Sequence, residues 1–250
     1  MQAALRWFIP VLATVLALGG GRARAGEARR RRVHVDHLDP AKVQQYEQAR
    51  REWLAWIVEH KAVDPWGGLF LQMGPSTFLT LRPFDRFAEL DPAASPVPID
   101  GQVRDRYNER SDATLVPPHF NEIWLRQGDL DYQPAPPVEE RRGVGRIVFE
   151  QIRLGADDHV EAWAAIRAEL AAAHYPVARI VFSSQFGTGR QVSLWMAPDR
   201  EVFARTPSID QVLGRRLGKE RAAALLARWR GAVLEREEHD VVARPDLSNP

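Results

Sequence analysis

The strongest constraint on the fold of this chain is an internal duplication of one order of strands and helices. The dipeptides Asp85-Arg86 and Asp199-Arg200 each follow an apolar run typical of a β-strand. The strand-like residues 33–36 and 147–150 are separated by the same number of residues as these two dipeptides. The spacing indicates two similar units, and the length of each is within the range of roughly 100–150 residues that is usual for a domain.

Both units read as strand, helix, hairpin, helix and strand. In the first unit Asp39 is a favourable N-cap before Pro40, and apolar residues then recur at helical spacing as far as Ile57. In the second unit Asp158 and Glu161 have the spacing of a capping box. The order βαββαβ, repeated, predicts an α+β fold of two tandem ferredoxin-like units. We expect their two sheets to stack, because each sheet would otherwise expose one face.

The duplication divides the chain at residues 133–145, which are rich in proline and glycine and are typical of a linker. We predict a signal peptide at 1–25, a first ferredoxin-like unit at 31–132 and a second at 146–250. Because one polypeptide carries both units, we expect a monomer that acts as a pseudo-dimer.

Residues 1–25 have the layout of a cleavable secretory signal. Arg6 precedes an apolar run, and Ala23-Arg24-Ala25 places small residues at a cleavage site. The run is shorter than the roughly 20 residues that span a bilayer. We therefore expect a periplasmic or secreted protein cleaved after Ala25. Arginines that follow the run oppose export, so the alternative is a chain anchored to the membrane through this segment, uncleaved.

Composition excludes several classes of function. The chain contains no cysteine, which removes thiol catalysis, iron–sulfur clusters and cysteine-ligated zinc. It has 34 basic and 33 acidic side chains, for a net charge of +1, so no general electrostatic attraction to nucleic acid is expected. The sequence also lacks the phosphate-binding, serine-hydrolase and zinc-protease motifs.

Strand alternation identifies three candidate catalytic residues. If Val33 and Val35 face the helices, then His34 and Asp36 face the interior between the sheets, as does Glu150 at the matching position of the second unit. Two carboxylates in one interior raise each other's pKa and can serve as acid and base, with His34 as a further base. The alternative is that these polar groups pair with one another or lie at a wet barrel mouth.

Further polar and aromatic side chains are expected to face the same interior or its entrance. They are the candidates for binding a small apolar or aromatic ligand: Trp66, Gln72, Glu122, Trp124, Arg126, Ser183 and Gln185. The alternative is that the tryptophans fill the core and the polar groups pair with each other. No metal site is predicted, because His34 and His37 would point to opposite faces of a continuous strand. No cofactor is predicted from the residues.

Residues 191–203, QVSLWMAPDREVF, resemble the strand-then-helix signature of the NIPSNAP family, within the dimeric α/β-barrel superfamily. The resemblance covers residues 146–245 and, more weakly, 31–132, where Leu-Arg-Pro at 81–83 departs from the signature. It implies that the two tandem ferredoxin-like βαββαβ units form a pseudo-dimeric α/β barrel. The superfamily includes monooxygenases and haem-handling enzymes, so the resemblance leaves haem open as a cofactor.

Three functions follow from these observations. The first is an extracytoplasmic, NIPSNAP-like protein that binds a small molecule. The second is a monooxygenase-like or haem-handling enzyme of the dimeric α/β-barrel type. The third is a protein-interaction module that uses the proline-rich loop 91–98 or the linker 133–145 as its contact surface.

Overall fold

The computed structural model describes residues 29–62, 64, 67–91, 99–139, 143–185 and 190–249. The predicted signal peptide and its cleavage site at Ala25 lie outside the described residues, and nothing in the structure supports them. The predicted location and the membrane-anchored alternative stay predictions. Within the described ranges, no helix combines the length and the apolar character that crossing a membrane requires.

Eight strands and six helices, besides short 3₁₀ turns, make up the described part of the chain. The strands are β1 (Arg30–His37), β2 (Leu69–Met73), β3 (Thr77–Phe84), β4 (Phe120–Arg126), β5 (Val144–Ile152), β6 (Ala178–Ser184), β7 (Arg190–Ala197) and β8 (Val233–Ala243). The helices are α1 (Val43–Glu59), α2 (Gly101–Asp112), α3 (Asp157–Ala172), α4 (Arg200–Arg205), α5 (Ile209–Leu217) and α6 (Lys219–Arg230).

Local signals account for where the first helices of the two halves begin. The Asp39 carboxylate accepts a hydrogen bond from the backbone N–H of Ala41 at 2.9 Å, in the 3₁₀ turn that leads into α1. The predicted capping box at Asp158 does not form. Instead α3 begins at Asp157 after Ala156, without a side-chain cap, and the acidic residues in its first turn complement the helix dipole.

All eight strands join in one closed barrel. Their order around it is β1-β3-β2-β8-β5-β7-β6-β4, and every neighbouring pair is antiparallel. Two short pairings close the sheet: β2 with β8, where Leu71 is opposite Ala243, and β4 with β6, where Trp124 is opposite Ser184. Closure gives the four edge strands partners for their backbone N–H and C=O groups.

The predicted fold class, two tandem ferredoxin-like βαββαβ units forming a pseudo-dimeric α/β barrel, is therefore wrong. We predicted two separate sheets that stack, whereas the strands form a single antiparallel sheet around one interior. The physical reason is edge pairing, because stacked open sheets would leave β2, β4, β6 and β8 with unpaired edges. The description as a tandem repeat of such units is wrong for the same reason. The boundaries predicted at 31–132, 133–145 and 146–250 stay predictions.

Apolar side chains from all eight strands fill the barrel interior. Val33 and Val35 of β1 and Ile147 of β5 belong to this interior cluster. The outer face is covered by α1 and α2 around the first four strands and by α3, α5 and α6 around the last four. The predicted alternation is thus correct but its faces are inverted: His34 and Asp36 point outward, toward the helices.

Candidate functional site

A cavity of about 430 Å³ lies between the outer face of the barrel and helices α1 and α2. Arg32, His34 and Asp36 line it from β1, and Tyr46 and Trp53 line it from α1. A volume of this order suits a small organic molecule, since ligand pockets usually measure roughly 300–1,000 Å³.

The cavity is bounded by buried side chains of β1 and α1 and by exposed residues of α2. Asp36 and Trp53 are each 5% exposed, whereas Asn108 and Asp112 of α2 are exposed lining residues. Tyr107, on the same helix, lines the cavity with its aromatic ring. A ligand in the cavity therefore contacts aromatic side chains from both helices and charged side chains from β1.

His34 lies between two oxygen atoms. Its Nε2 is 2.8 Å from Oδ1 of Asp36, and its Nδ1 is 2.9 Å from Oδ1 of Asn121 on β4. The Arg32 guanidinium donates a hydrogen bond to the same Asn121 oxygen at 2.6 Å, which fixes the orientation of that amide. Nδ1 therefore donates to Asn121, and Nε2 is the nitrogen that gains and loses a proton beside Asp36.

Tyr46 holds the second carboxylate oxygen of Asp36. Its hydroxyl donates a hydrogen bond to Oδ2 at 2.7 Å, and both side chains are buried. Burial, and then the negative charge of Asp36, hold the pKa of Tyr46 well above its usual range, so the phenol stays protonated and remains a donor. Asp36 is thereby kept with Oδ1 turned toward His34.

The pKa of His34 is raised from its ordinary value of 6.5. Burial lowers this pKa, but the contact with Asp36 and the hydrogen bond to Asn121 together raise it by more. An imidazole with a raised pKa is a stronger base, and the Asp36 carboxylate stabilises the imidazolium that forms when it takes a proton. The pair can therefore accept and hold a proton at Nε2.

A buried ion pair forms another part of the cavity wall. Nη1 of Arg50 lies 3.4 Å from Oδ2 of Asp64, and the indole N–H of Trp53 donates to the same oxygen at 2.9 Å. The guanidinium carbon of Arg50 lies 4.5 Å from the ring centroid of Phe70. Because the two charges are paired and buried, they hold the shape of the wall without adding net charge.

Glu150, the third predicted catalytic residue, lies elsewhere. It belongs to β5, opposite β1 in the barrel order, and points outward beneath the other helix layer. Arg236 donates to one of its oxygens at 2.7 Å, and Arg179 lies 3.9 Å from the other. Asp36 and Glu150 therefore do not converge, because the closed barrel separates the faces on which they lie.

Beneath α3, α5 and α6, side chains fill the space that corresponds to the cavity beneath α1 and α2. The buried guanidinium of Arg179 lies 4.1, 5.3 and 5.6 Å from the ring centroids of Trp163, Trp195 and Trp229. Burial lowers the pKa of Arg179 to about 10. These side chains occupy the region beside Glu150, so the two halves of the barrel differ in what their helices cover.

None of the described ligand-binding candidates lines the 430 Å³ cavity, and their contacts are with protein groups. Glu122 accepts a hydrogen bond from the indole of Trp124 at 2.6 Å, and Trp124 itself belongs to the barrel interior. Arg126 pairs with Asp131 at 2.7 Å. Both contacts join side chains of the protein, and the partner of Arg126 lies outside the predicted set.

The remaining candidates are scattered over the barrel. Gln72 accepts a hydrogen bond from Arg244 at 2.9 Å, and Ser183 contacts the amide of Gln127 at 2.8 Å. Gln185 is exposed at the end of β6. Trp66 lies outside the described residues. Of the predicted residues that the structure describes, only His34 and Asp36 line the 430 Å³ cavity.

Sequence reasoning missed most of the cavity wall. Tyr46 and Trp53 belong to the apolar stripe that predicts α1, which marks them as core residues, and no pattern in the sequence indicates Asp64 or Tyr107 as cavity residues. One signal was present in the sequence: Arg50 interrupts the apolar stripe of α1 between Tyr46 and Trp53, at helical spacing. A charged residue within an apolar stripe indicates a buried partner, which here is Asp64.

The residues of the cavity do not fit haem. Among the described lining residues His34 is the one imidazole, and both of its nitrogens face oxygen atoms within 2.9 Å, so neither offers a free lone pair to iron. No group of three or more His, Asp or Glu side chains in the described ranges is arranged to hold a metal ion.

Comparisons by sequence find no counterpart. No family model matches the chain, and no curated protein matches it. The NIPSNAP resemblance therefore has no support beyond the residues that suggested it, and it is withdrawn.

Comparison of the fold does find neighbours. The chain is similar to a "putative monooxygenase" from Lactobacillus acidophilus NCFM, with a TM-score of 0.52, 9% identity, and 87% of this chain and 94% of that chain covered. It is also similar to a "putative monooxygenase" from Fusobacterium nucleatum, with a TM-score of 0.56, 7% identity, and 87% and 93% covered. An anthrone oxidase-like protein gives a TM-score of 0.54 at 10% identity, with 88% and 92% covered. At these identities the likeness shows the fold alone, a barrel of the monooxygenase-like kind.

Proposed function

We propose that this protein is an oxygenase-type enzyme that binds a small planar phenol or related aromatic ketone in the cavity beneath α1 and α2. The observation that carries the proposal is the arrangement of His34, Asp36 and Tyr46 in the wall of an aromatic-lined cavity. The names of the fold neighbours agree with this class of reaction. The predicted small aromatic ligand thus becomes the proposed substrate class.

The proposed chemistry begins with removal of a proton from an activated C–H group. Substrate binding opens the 2.8 Å contact between His34 Nε2 and Asp36 Oδ1. The freed Nε2 then takes the proton, the adjacent carboxylate stabilises the imidazolium, and the aromatic carbanion remains in the cavity. The carbanion combines with O₂, and His34 returns the proton to give a hydroperoxide. Loss of water from the hydroperoxide leaves a ketone, so the balanced reaction is R₂CH₂ + O₂ → R₂C=O + H₂O. This balance requires no external reductant.

The aromatic wall supports the choice of substrate. Trp53, Phe70 and Tyr107 contribute aromatic side chains to the cavity wall, and pockets lined by aromatic side chains commonly bury small planar molecules. Tyr46 and Arg32 keep Asp36 and Asn121 in place around His34, so the base is oriented before a substrate arrives.

The test is oxygen uptake with anthrone as the probe, together with formation of the quinone product. We expect turnover by the unaltered protein and a loss of about 10²–10⁴-fold in kcat for His34→Gln, the usual contribution of a general base. Asp36→Asn should also lose activity, because the imidazolium would lack its carboxylate partner.

The matched control is Glu150→Gln, at the position of β5 that corresponds to Asp36. It removes a buried ion-pair partner, so it should lower the melting temperature while leaving the activity of the folded protein unchanged. Two outcomes would contradict the proposal. One is saturable binding of anthrone without oxygen uptake, and the other is an equal loss of activity in Glu150→Gln and His34→Gln.

A further inference from the structure

Four aromatic rings form a continuous stack from the cavity to the protein surface. The centroid separations are 4.8 Å from Tyr107 to Trp53, 6.0 Å from Trp53 to Trp56, and 4.3 Å from Trp56 to His60. The planes of successive rings are inclined by only 16–18°. We call this set the aromatic stack. Its rings are close and nearly parallel, which favours movement of an electron from one ring to the next.

The two ends of the aromatic stack lie in different environments. Tyr107 and Trp53 line the cavity, and Trp53 is 5% exposed. Trp56 is half-buried, and His60 is exposed at the end of α1. The stack therefore connects the interior of the cavity with a ring that a molecule in solution can reach.

Trp53 also has a proton acceptor of the kind that one-electron oxidation requires. Its indole N–H donates to Oδ2 of Asp64 at 2.9 Å, and the Asp64 side chain is buried. An indole that loses an electron becomes a strong acid. The Asp64 carboxylate lies where it can take this proton, which leaves a neutral indolyl radical on Trp53.

We propose that the aromatic stack transfers single electrons between the cavity and the surface. Trp53 is the redox-active ring on the cavity side, and Trp56 is the redox-active ring on the surface side. A one-electron oxidant in solution takes an electron from Trp56, the Trp56 radical cation takes an electron from Trp53, and the proton on the Trp53 nitrogen passes to Asp64. In the reverse direction a substrate radical in the cavity takes an electron from Trp53, and Trp56 replaces that electron. A thiol in solution then gives one electron to the Trp56 radical cation and becomes a thiyl radical as its proton passes to water, and Asp64 returns the proton to Trp53 when Trp53 is reduced.

This inference goes beyond the proposed oxygenase reaction and does not depend on it. The stack is defined by ring geometry and by the Trp53–Asp64 hydrogen bond, whereas the proposed reaction uses His34 and Asp36. If the protein handles O₂ in the cavity, the stack gives stray radicals a route to the surface before they damage the site.

The absence of cysteine from the sequence makes a sharp test available. Glu59→Cys places a single thiol on an exposed residue at the end of α1, three positions from Trp56. A ruthenium polypyridyl photo-oxidant attached to that thiol is converted to Ru(III) by a flash and a quencher. Transient absorption then follows the indole radicals that form as Ru(III) returns to Ru(II). No substrate is needed, so the result is independent of the oxygenase assay.

In the labelled protein we expect a Trp56 radical cation that decays into a longer-lived neutral radical on Trp53. Adding Trp56→Phe should abolish the Trp53 radical, because phenylalanine is too hard to oxidise. Adding Trp56→Tyr should retain it, since tyrosine fills the same place with a redox-active ring. Adding Trp53→Phe should leave the radical on Trp56 and remove the neutral species.

These variants separate conduction from simple packing. If Trp56→Phe gave the same yield and rise of the Trp53 radical as the labelled parent, or if Trp56→Tyr behaved like Trp56→Phe, the proposal would be overturned. Melting curves of the two Trp56 variants show that each is folded, so loss of signal in one and retention in the other reports electron transfer.

Discussion

At the scale of single residues, the site depends on how His34 is surrounded. Asp36 and Asn121 both present oxygen atoms to its ring, and each of these residues is held in turn by Tyr46 or Arg32. The result is a base whose tautomer and orientation are set by the protein. Its proton affinity is therefore a measurable consequence of the geometry.

We expect the pKa of His34 to lie above 6.5 in the folded protein and to fall in Asp36→Asn, because the carboxylate that stabilises the imidazolium is lost. The raised folded-state pKa means that His34 contributes stability fully present below about pH 6.5 and lost as the pH rises through the folded value. If His34 is the base, kcat/KM with anthrone should rise with pH through the same midpoint, as neutral imidazole forms.

The measurement is an NMR titration of the imidazole resonances, with His34→Gln identifying the His34 signals among the seven histidines of the chain. A midpoint at or below 6.5 in the unaltered protein, or one that does not move in Asp36→Asn, would show that Asp36 does not govern this proton.

At the scale of elements, helix α1 forms the wall of the cavity and also binds the end of the chain. Arg50 donates to the backbone oxygen of Leu247 at 3.1 Å and to the side chain of Asn249 at 2.7 Å, besides its pairing with Asp64. The helix is thus fixed to the barrel through charge and hydrogen bonds as well as apolar packing. Losing Arg50 would leave the buried Asp64 without this partner.

We therefore expect Arg50→Met to lower the free energy of unfolding by about 3–5 kcal/mol, the usual cost of breaking a buried ion pair. The double change Arg50→Met with Asp64→Asn should recover part of that loss, because it removes the second charge and keeps an oxygen that accepts from Trp53. Urea unfolding of the three proteins measures both effects. A loss within about 0.5 kcal/mol for Arg50→Met would show that the pair contributes no more than a surface contact.

Much of the element order could be predicted from the sequence, and most of the site could not. Alternation along β1 correctly separated Val33 and Val35 from His34 and Asp36, because a strand places successive side chains on opposite faces. Alternation does not say which face the helices cover when both faces are buried. The aliphatic set fills the narrow barrel interior, so the faces were inverted and the predicted meeting of Asp36 with Glu150 was lost.

At the scale of the whole molecule, the closed barrel is a rigid wall between two unlike helix layers. One layer leaves a cavity beside Asp36, and the other is filled around Glu150 by an arginine and three tryptophans. Because apolar side chains fill the barrel interior, a residue under one helix layer cannot contact a residue under the other layer through the barrel. The two halves of the chain share an order of strands and helices, but the closed sheet keeps Asp36 and Glu150 apart. The proposed site therefore lies under one helix layer alone.

The fit of β5 against its neighbours is tightest at Gly145, which lies between Met196 of β7 and Val241 of β8. A Cβ at this position would lie 1.7 Å from the backbone oxygen of Trp195, which cannot move without breaking the β5–β7 pairing. We expect Gly145→Ala to lower the free energy of unfolding by about 3 kcal/mol or more, at the upper end of the usual cost of overpacking.

Gly214→Ala in α5 is the matched control, because a Cβ there meets nothing within 4 Å. In a helix interior this change should stabilise the protein by about 0.5–1 kcal/mol. Urea unfolding of both variants, with the 430 Å³ cavity probed in parallel by anthrone binding, separates barrel closure from local helix propensity. If Gly145→Ala were as stable as the unaltered protein, β5 and β7 would not be packed as closely as the closed barrel requires, and the barrel would not separate the two helix layers as described.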